Sequence, residues 1–84
     1  MTIQENWALP MTRIEEYLRS LDETRQTAQA RYEIGGCEIS LRPLADSKVG
    51  SYTFPRTLVT FSGEEKDVTR FHRRFMIRFL TLGG

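Results

Sequence analysis

The segment RYEIGGCEISLRPL, residues 31–44, constrains the fold more than any other part of the chain. Gly35-Gly36 separates two runs of alternating apolar and polar residues, which is typical of a two-residue hairpin turn that needs positive φ. The pattern predicts that Ile34 lies opposite Cys37. The apolar face then carries Tyr32, Ile34, Cys37, Ile39 and Leu41, and the polar face carries Arg31, Glu33, Glu38, Ser40 and Arg42. One buried and one solvated face indicate a small antiparallel sheet with helices on a single side.

The last part of the chain, TRFHRRFMIRFLTLGG, has the periodicity of an amphipathic helix. On a 3.6-residue period one narrow sector is apolar throughout; it comprises Val68, Phe71, Phe75, Phe79 and Leu82. The opposite side carries Lys66, Arg70, Arg73, Arg74 and Arg78, with Ile77 among them. We call this set of basic residues the arginine ladder. Like charges stacked at i and i+4 disfavour an isolated helix, so the ladder needs a compensating partner.

The remaining segments complete a prediction of the fold. Residues 1–11 read as an N-terminal arm, and a possible capping box at Thr12 and Glu15 predicts a helix that follows it. Residues 45–51 have the composition of a loop, and a second capping box at Ser62 and Glu65 starts the last helix. We therefore predict one α+β domain over residues 12–84. It is a two-layer sandwich in α-β-β-β-α order, with a three-stranded antiparallel meander and both helices on one face.

Composition excludes several classes of protein. A chain of 84 residues forms one domain near the lower size limit for a self-sufficient core. The single Cys37 and single His72 allow neither an internal disulfide nor a zinc cluster. No run approaches the ~18 apolar residues of a membrane span, and the first residues lack the pattern of a signal peptide. We expect a cytoplasmic protein without a membrane segment.

The formal net charge of +1 conceals an asymmetry along the chain. Residues 1–46 hold five arginines against eight acidic residues, whereas residues 47–84 hold seven basic residues against three acidic ones. Three interpretations of the arginine ladder follow. It pairs with the acidic edge of the first helix, formed by Glu15, Glu16, Asp22 and Glu23; it meets an acidic protein surface; or it follows nucleic-acid phosphates. The sequence pI near 7.9 weighs against the third.

The candidate partner-binding residues are Arg70, Arg73, Arg74, Ile77, Arg78 and Trp7. Trp7 has two interpretations, since a tryptophan before the first helix is either a lid on a small core or an anchor for a partner. The partner is expected to be another protein or a second copy in a homodimer, with nucleic acid as the alternative. We expect no cofactor, no metal and no small-molecule substrate.

Enzymatic activity has little support in the sequence. Cys37 and His72 are the residue types of a nucleophile and a base, but the hairpin pattern turns Cys37 toward the core. The cross-strand pair Glu33 and Glu38 lies on an open sheet face, where nothing separates the two pKa values as acid–base catalysis requires. The chain is therefore predicted to be a non-enzymatic binding or assembly module.

Two known families share single features with the chain. The α-β-β-β-α order is similar to that of the double-stranded RNA-binding domain, but the loop and lysine signatures of that family are absent. The final Gly83-Gly84 resembles the diglycine in which ubiquitin-like modifiers and sulfur-carrier proteins end and which is activated at its carboxylate. That family places its tail after a strand, whereas here the diglycine follows a predicted helix. Glycine also ends many helices, and we interpret the pair as a helix stop.

Overall fold

The computed structural model describes residues 1–81. The elements in chain order are β1 (Thr2–Trp7), α1 (Met11–Ser20), β2 (Thr24–Ala28), β3 (Arg31–Ile34), β4 (Cys37–Val49), β5 (Tyr52–Gly63) and α2 (Glu65–Met76), followed by a π-helical turn (Ile77–Thr81). The strands form one sheet in the order β1-β5-β4-β3-β2, and every neighbouring pair is antiparallel. The α+β class and the two helices are as predicted, but the sheet has five strands instead of three.

The central hairpin follows the predicted register. Ile34 pairs with Cys37, and Gly35 and Gly36 take φ of 50° and 82°. Glycine adopts these left-handed values without the steric cost that a Cβ brings. A Cβ at Gly35 would also meet the Phe71 ring at 2.8 Å, so this turn is a point where α2 packs closely on the sheet.

The segment expected as an N-terminal arm, residues 1–11, contains strand β1. It pairs with β5 from Thr2 opposite Ser62 to Trp7 opposite Thr57. Alternation along the strand turns Ile3 and Trp7 toward the helices. Gln4 and Asn6 point to the opposite face of the sheet, which remains in contact with water.

The second additional strand, β2, follows α1 after a short turn. Helix α1 ends at Ser20, and the backbone at Leu21 is extended. The polar segment that follows offers no apolar stripe to bury against the sheet. It pairs instead with β3, with Arg25 opposite Glu33, and so satisfies its backbone hydrogen-bonding groups as an edge strand.

The predicted loop at residues 45–51 is the end of a long hairpin formed by β4 and β5. The register shifts between Leu44 and Ser47, so that two residues of β4 lie opposite Pro55. This β-bulge lies on the strand opposite the proline. Because β5 continues without interruption, Tyr52 and Phe54 face away from the helices.

Both predicted capping boxes are wrong. The residues that precede the two helices are Pro10 and Glu64, and neither helix has a side-chain cap. Helix α1 starts with a hydrogen bond from the Arg13 amide to the Pro10 carbonyl, at 3.1 Å. Acidic Glu65 and Asp67 in the first turn of α2 favour its positive N-terminal end.

The two helices pack on the same face of the sheet and enclose one core. Its buried members are Trp7, Ile14, Leu18, Tyr32, Ile34, Cys37, Ile39, Leu41, Val59, Phe61, Val68, Phe71 and Phe75. The inward phenylalanine stripe of α2 is thereby confirmed: Phe71 and Phe75 are buried, and Phe79 is partly buried. Full burial of such a side chain contributes roughly 1.5–3 kcal/mol. Leu82 lies outside the described residues.

Candidate functional site

The first candidate surface is the solvent side of α2. Lys66, Arg70 and Arg73 are exposed there and line an open cleft of about 630 Å3, together with Glu65 and Thr69. Within residues 1–81 none of these three cations forms an ion pair. The cleft is therefore positive and accessible.

The rest of the arginine ladder makes contacts within the chain. Arg74 Nη2 lies 3.3 Å from Glu23 Oε1, in an ion pair between partly exposed side chains. The Arg78 guanidinium lies 5.4 Å from the Tyr17 ring centroid, and that of Arg70 lies 4.6 Å from the Phe71 ring. Among the described residues, Glu23 is the one acidic partner of the ladder. The expected pairing with the first helix is thus limited to a residue just beyond it.

Trp7 is not on this surface. Its side chain is 3% exposed and packs 6.0 Å from the Phe61 ring, 6.5 Å from Phe75 and 5.9 Å from Phe79, measured between centroids. The tryptophan is a lid on the core, and its burial withdraws it from the set of partner-binding candidates. Ile77 is 53% exposed and continues the solvent side of α2 into the π-helical turn.

A small polar cluster lies where β1 meets α2. Glu5 Oε1 accepts a hydrogen bond from Trp7 Nε1 at 3.0 Å and lies 2.9 Å from His72 Nε2. Partial burial opposes ionisation of Glu5, but the hydrogen bonds with His72 and Trp7 outweigh it and lower the pKa of the carboxyl. The sequence pattern did not reveal this cluster, because residues 2–7 were not recognised as a strand. Only as a strand do they place Glu5 on the same face as Ile3 and Trp7.

The structure does not bring the residues of a nucleophile–base pair together. The Cys37 thiol is fully buried and contacts the Glu38 carbonyl, whereas His72 binds Glu5. Burial raises the pKa of the thiol, which disfavours the reactive thiolate. No group of three or more potential metal ligands occurs among residues 1–81. No helix in that same part of the chain has the length and hydropathy to cross a membrane.

The second candidate surface is the face of the sheet that the helices leave open. A cross-strand row runs from Arg31 on β3 through Ser40 and Thr60 to Gln4 on β1. Arg42 and Leu58 form the adjacent pair. These six residues border a concavity of about 350 Å3. The sequence places Arg31 and Arg42 on the solvated face but does not reveal the concavity.

Further along this open face, the β4–β5 hairpin extends past its neighbours and exposes apolar side chains. Val49 is 64% exposed, Tyr52 is 70% exposed and Phe54 is 40% exposed. The two aromatic rings stack with centroids 6.3 Å apart. The unpaired edges of this extension contain Pro43, Pro55 and the bulge, all of which hinder the addition of a further strand.

Comparison with known proteins adds one finding to this geometry. The family model described as "Archaeal MoaD-like protein" matches residues 5–84, which include the diglycine that lies outside the described residues. No curated protein matches the chain.

Proposed function

Because this chain belongs to the archaeal MoaD-like protein family, we propose that it is a small non-enzymatic module that docks on a partner protein through the solvent side of α2. Modules of the MoaD-like kind resemble sulfur carriers and act together with partner proteins. The family relationship supports a protein partner over nucleic acid. It does not by itself select the docking surface, which has to come from the geometry.

The observation that carries the proposed docking surface is the set of cations on α2 that form no ion pair within residues 1–81. Lys66, Arg70 and Arg73 border one cleft and have no acidic partner within residues 1–81. An acidic surface on the partner supplies the missing carboxylates, and Arg binds these in a two-pronged geometry. The exposed Ile77 adds an apolar contact at the end of the same face.

The position of this surface in the chain suits a carrier. Arg73 precedes Gly84 by eleven residues. The eight that reach Thr81 are helical and rise roughly 1.5 Å each, and the remaining three add at most about 11 Å. A partner that holds α2 therefore has the diglycine within reach of its own active site. This arrangement requires no catalytic group in the chain.

Affinity capture from the native source tests the docking surface. Tagged wild-type protein is compared with an Arg70→Glu/Arg73→Glu variant and with Lys48→Glu, which changes an exposed cation at the far end of the β4–β5 hairpin. We expect the same partner with wild type and Lys48→Glu, and its loss with the double variant. Retention of the partner by the folded double variant would assign docking to another surface.

Sizing and oligonucleotide binding separate the alternative partners. A second copy as partner predicts a dimer that the double variant dissociates. A nucleic acid as partner predicts oligonucleotide binding that weakens steeply with salt. The proposed function predicts neither, since the partner is a different protein.

A second candidate function is that of a carrier loaded at the Gly84 carboxylate. The family match supports it because it extends through Gly83 and Gly84. In this function a partner enzyme joins the Gly84 carboxylate to the AMP part of ATP, with loss of pyrophosphate. A hydrosulfide ion then displaces AMP and leaves a thiocarboxylate. Mass spectrometry of the protein from its native source tests this function. A peptide that ends at Gly84 with sulfur in place of one oxygen supports it, and a chain that continues past Gly84 contradicts it.

A further inference from the structure

From the concavity on the open face of the sheet, we infer that this protein has a binding site for the phosphate group of a small free molecule, with Arg31 and Arg42 as its principal ligands. The site lies on the face opposite the helices. It does not depend on docking at α2 or on the diglycine.

Register brings the two arginines together although they are distant in the sequence. Arg31 pairs with Ser40, and Arg42 follows Ser40 by two residues, on the same face of the sheet. Diagonal neighbours of this kind have Cα atoms roughly 7–8 Å apart, within the reach of long side chains. Both guanidinium groups can therefore bind one tetrahedral anion placed between them.

The side chains around the concavity are donors suited to phosphate. Ser40 and Thr60 contribute hydroxyl groups, and Gln4 Nε2 donates to Thr60 Oγ1 at 3.2 Å. Because Thr60 Oγ1 accepts this bond, its own hydroxyl hydrogen remains available to donate to another group. No acidic side chain borders the concavity among the described residues. Leu58 provides an apolar surface for the organic part of a ligand.

The charge of this site is not neutralised within the described chain. Glu33 and Glu38 are the nearest acidic residues in the register of this face. Glu33 Oε1 accepts from Arg25 Nη2 at 3.2 Å, on the side away from Arg42. Neither Arg31 nor Arg42 forms an ion pair or a ring contact within residues 1–81. Glu38 is a diagonal neighbour of Arg31 but forms no ion pair with it. Two neighbouring guanidinium groups that form no ion pair favour binding of a divalent anion.

The size of the concavity selects the ligand class. A volume of about 350 Å3 exceeds that of a single phosphate ion and lies at the lower end of the range for small-molecule pockets. Phosphate carries roughly −1.5 to −2 charges near neutral pH and offers three oxygens, so it uses both arginines and the hydroxyl groups. A monocarboxylate offers two oxygens and one charge, and it leaves part of this donor set unused.

The test is an NMR titration of the full chain, labelled with 15N, at constant ionic strength. The probes are inorganic phosphate, pyrophosphate, a phosphoserine-containing pentapeptide and acetate. We expect pyrophosphate to shift the amides of Gln4, Ser40 and Thr60 saturably, with acetate much weaker. Amides of α2 should not respond.

Variants separate the site from general attraction by positive charge. Arg42→Ala and Arg31→Ala should each weaken pyrophosphate binding about tenfold, because each removes a charge-assisted hydrogen bond. Arg42→Lys should recover part of the loss, and Lys48→Ala should leave the affinity unchanged. Both arginines are exposed, so the alanine variants should fold.

Three results would overturn the inference. They are the absence of saturable shifts around the concavity, equal weakening by Lys48→Ala and Arg42→Ala, and tighter binding of the phosphopeptide than of pyrophosphate. The third result would assign the site to a phosphorylated protein. Each result leaves the proposed docking at α2 untouched, since that surface is measured by partner capture.

Discussion

Arg74 and Arg42 lie on opposite sides of the same sheet, and only the first has an acidic partner. Arg74 on α2 binds Glu23, whereas Arg42 on β4 forms no ion pair within residues 1–81. On the side with helices, charged side chains of the covering elements can form ion pairs with one another. No element covers the open side, where Arg25 and Glu33 form an ion pair within the sheet, so Arg31 and Arg42 remain accessible to solvent and to a ligand. This contrast shows how the same residue type can have a structural role on one face and be free to bind on the other.

The largest expected difference between the faces comes from matched phenylalanine substitutions. Phe75 is fully buried among other aromatic rings, and Phe54 is 40% exposed on the open face. Phe75→Ala should lower the free energy of unfolding by about 3–5 kcal/mol because it leaves a cavity in the core. Phe54→Ala should cost less than ~1 kcal/mol. Urea denaturation of both variants measures the difference, and similar losses would contradict the contrast.

A pair of glycines makes the next comparison. Gly63 has φ of 149°, and a Cβ there would lie 2.5 Å from the Gly36 carbonyl oxygen. Gly50 at the hairpin end has φ of 62°, and a Cβ there would have no neighbouring atom within 4 Å. Gly63→Ala should therefore cost about 3 kcal/mol, from strain and a backbone clash, against about 1 kcal/mol for Gly50→Ala. Thermal unfolding measures which variant is less stable. A larger loss of stability at Gly50 than at Gly63 would contradict the close backbone contact at Gly63.

The Glu5 cluster predicts a pH dependence of stability. The pKa of Glu5 is lower in the folded chain than its usual value of 4.5, so its contribution is present above that value. It is lost as the pH falls through the folded pKa. Glu5→Gln should reduce stability by about 1 kcal/mol at neutral pH, because a charge-assisted hydrogen bond is lost at a partly exposed site. The difference from wild type should vanish in acid. A constant difference from pH 7 to pH 3 would contradict this role.

The smallest effect concerns the ion pair within the arginine ladder. A double-mutant cycle with Arg74→Ala and Glu23→Ala should give a coupling energy of about 0.2–1 kcal/mol, as is usual for exposed pairs. The same cycle with Arg42→Ala and Glu23→Ala should give no coupling, since these residues lie on opposite sides of the sheet. Coupling in the second cycle would show that the two surfaces are linked.

The sequence predicts those elements whose signal is local. The β3–β4 register follows from a glycine pair between alternating runs, and the inward stripe of α2 follows from a 3.6-residue period. Strand β2 has neither signal, because its polar residues suit an edge strand and a helix end equally well. Strand β1 alternates correctly, but the inward-facing Glu5 interrupts the apolar side and conceals the pattern.

The candidate sites differ in the same way: a site on one element can be predicted from its local pattern, and a site built from several strands cannot. The arginine ladder lies on one helix, so its spacing alone places its members on one face. The concavity joins Gln4, Arg31, Ser40 and Thr60 from four strands. The predicted β3–β4 hairpin accounts for Arg31 and Ser40, but Thr60 and Gln4 join them only through the pairing of β4 with β5 and of β5 with β1. Strand pairing over long sequence separation leaves no periodic signal in one sequence, so this second surface could not be predicted.

The central claim, that the helices cover one face of the sheet and leave the other open, is tested most directly by the two tyrosines on opposite faces. Tyr32 is fully buried beneath the helices, and Tyr52 is 70% exposed. In the native protein, nitration followed by peptide mass spectrometry should modify Tyr52 rapidly and leave Tyr32 protected. In urea, both residues should react at similar rates. Equal rates in the native protein, or faster reaction at Tyr32, would contradict the claim.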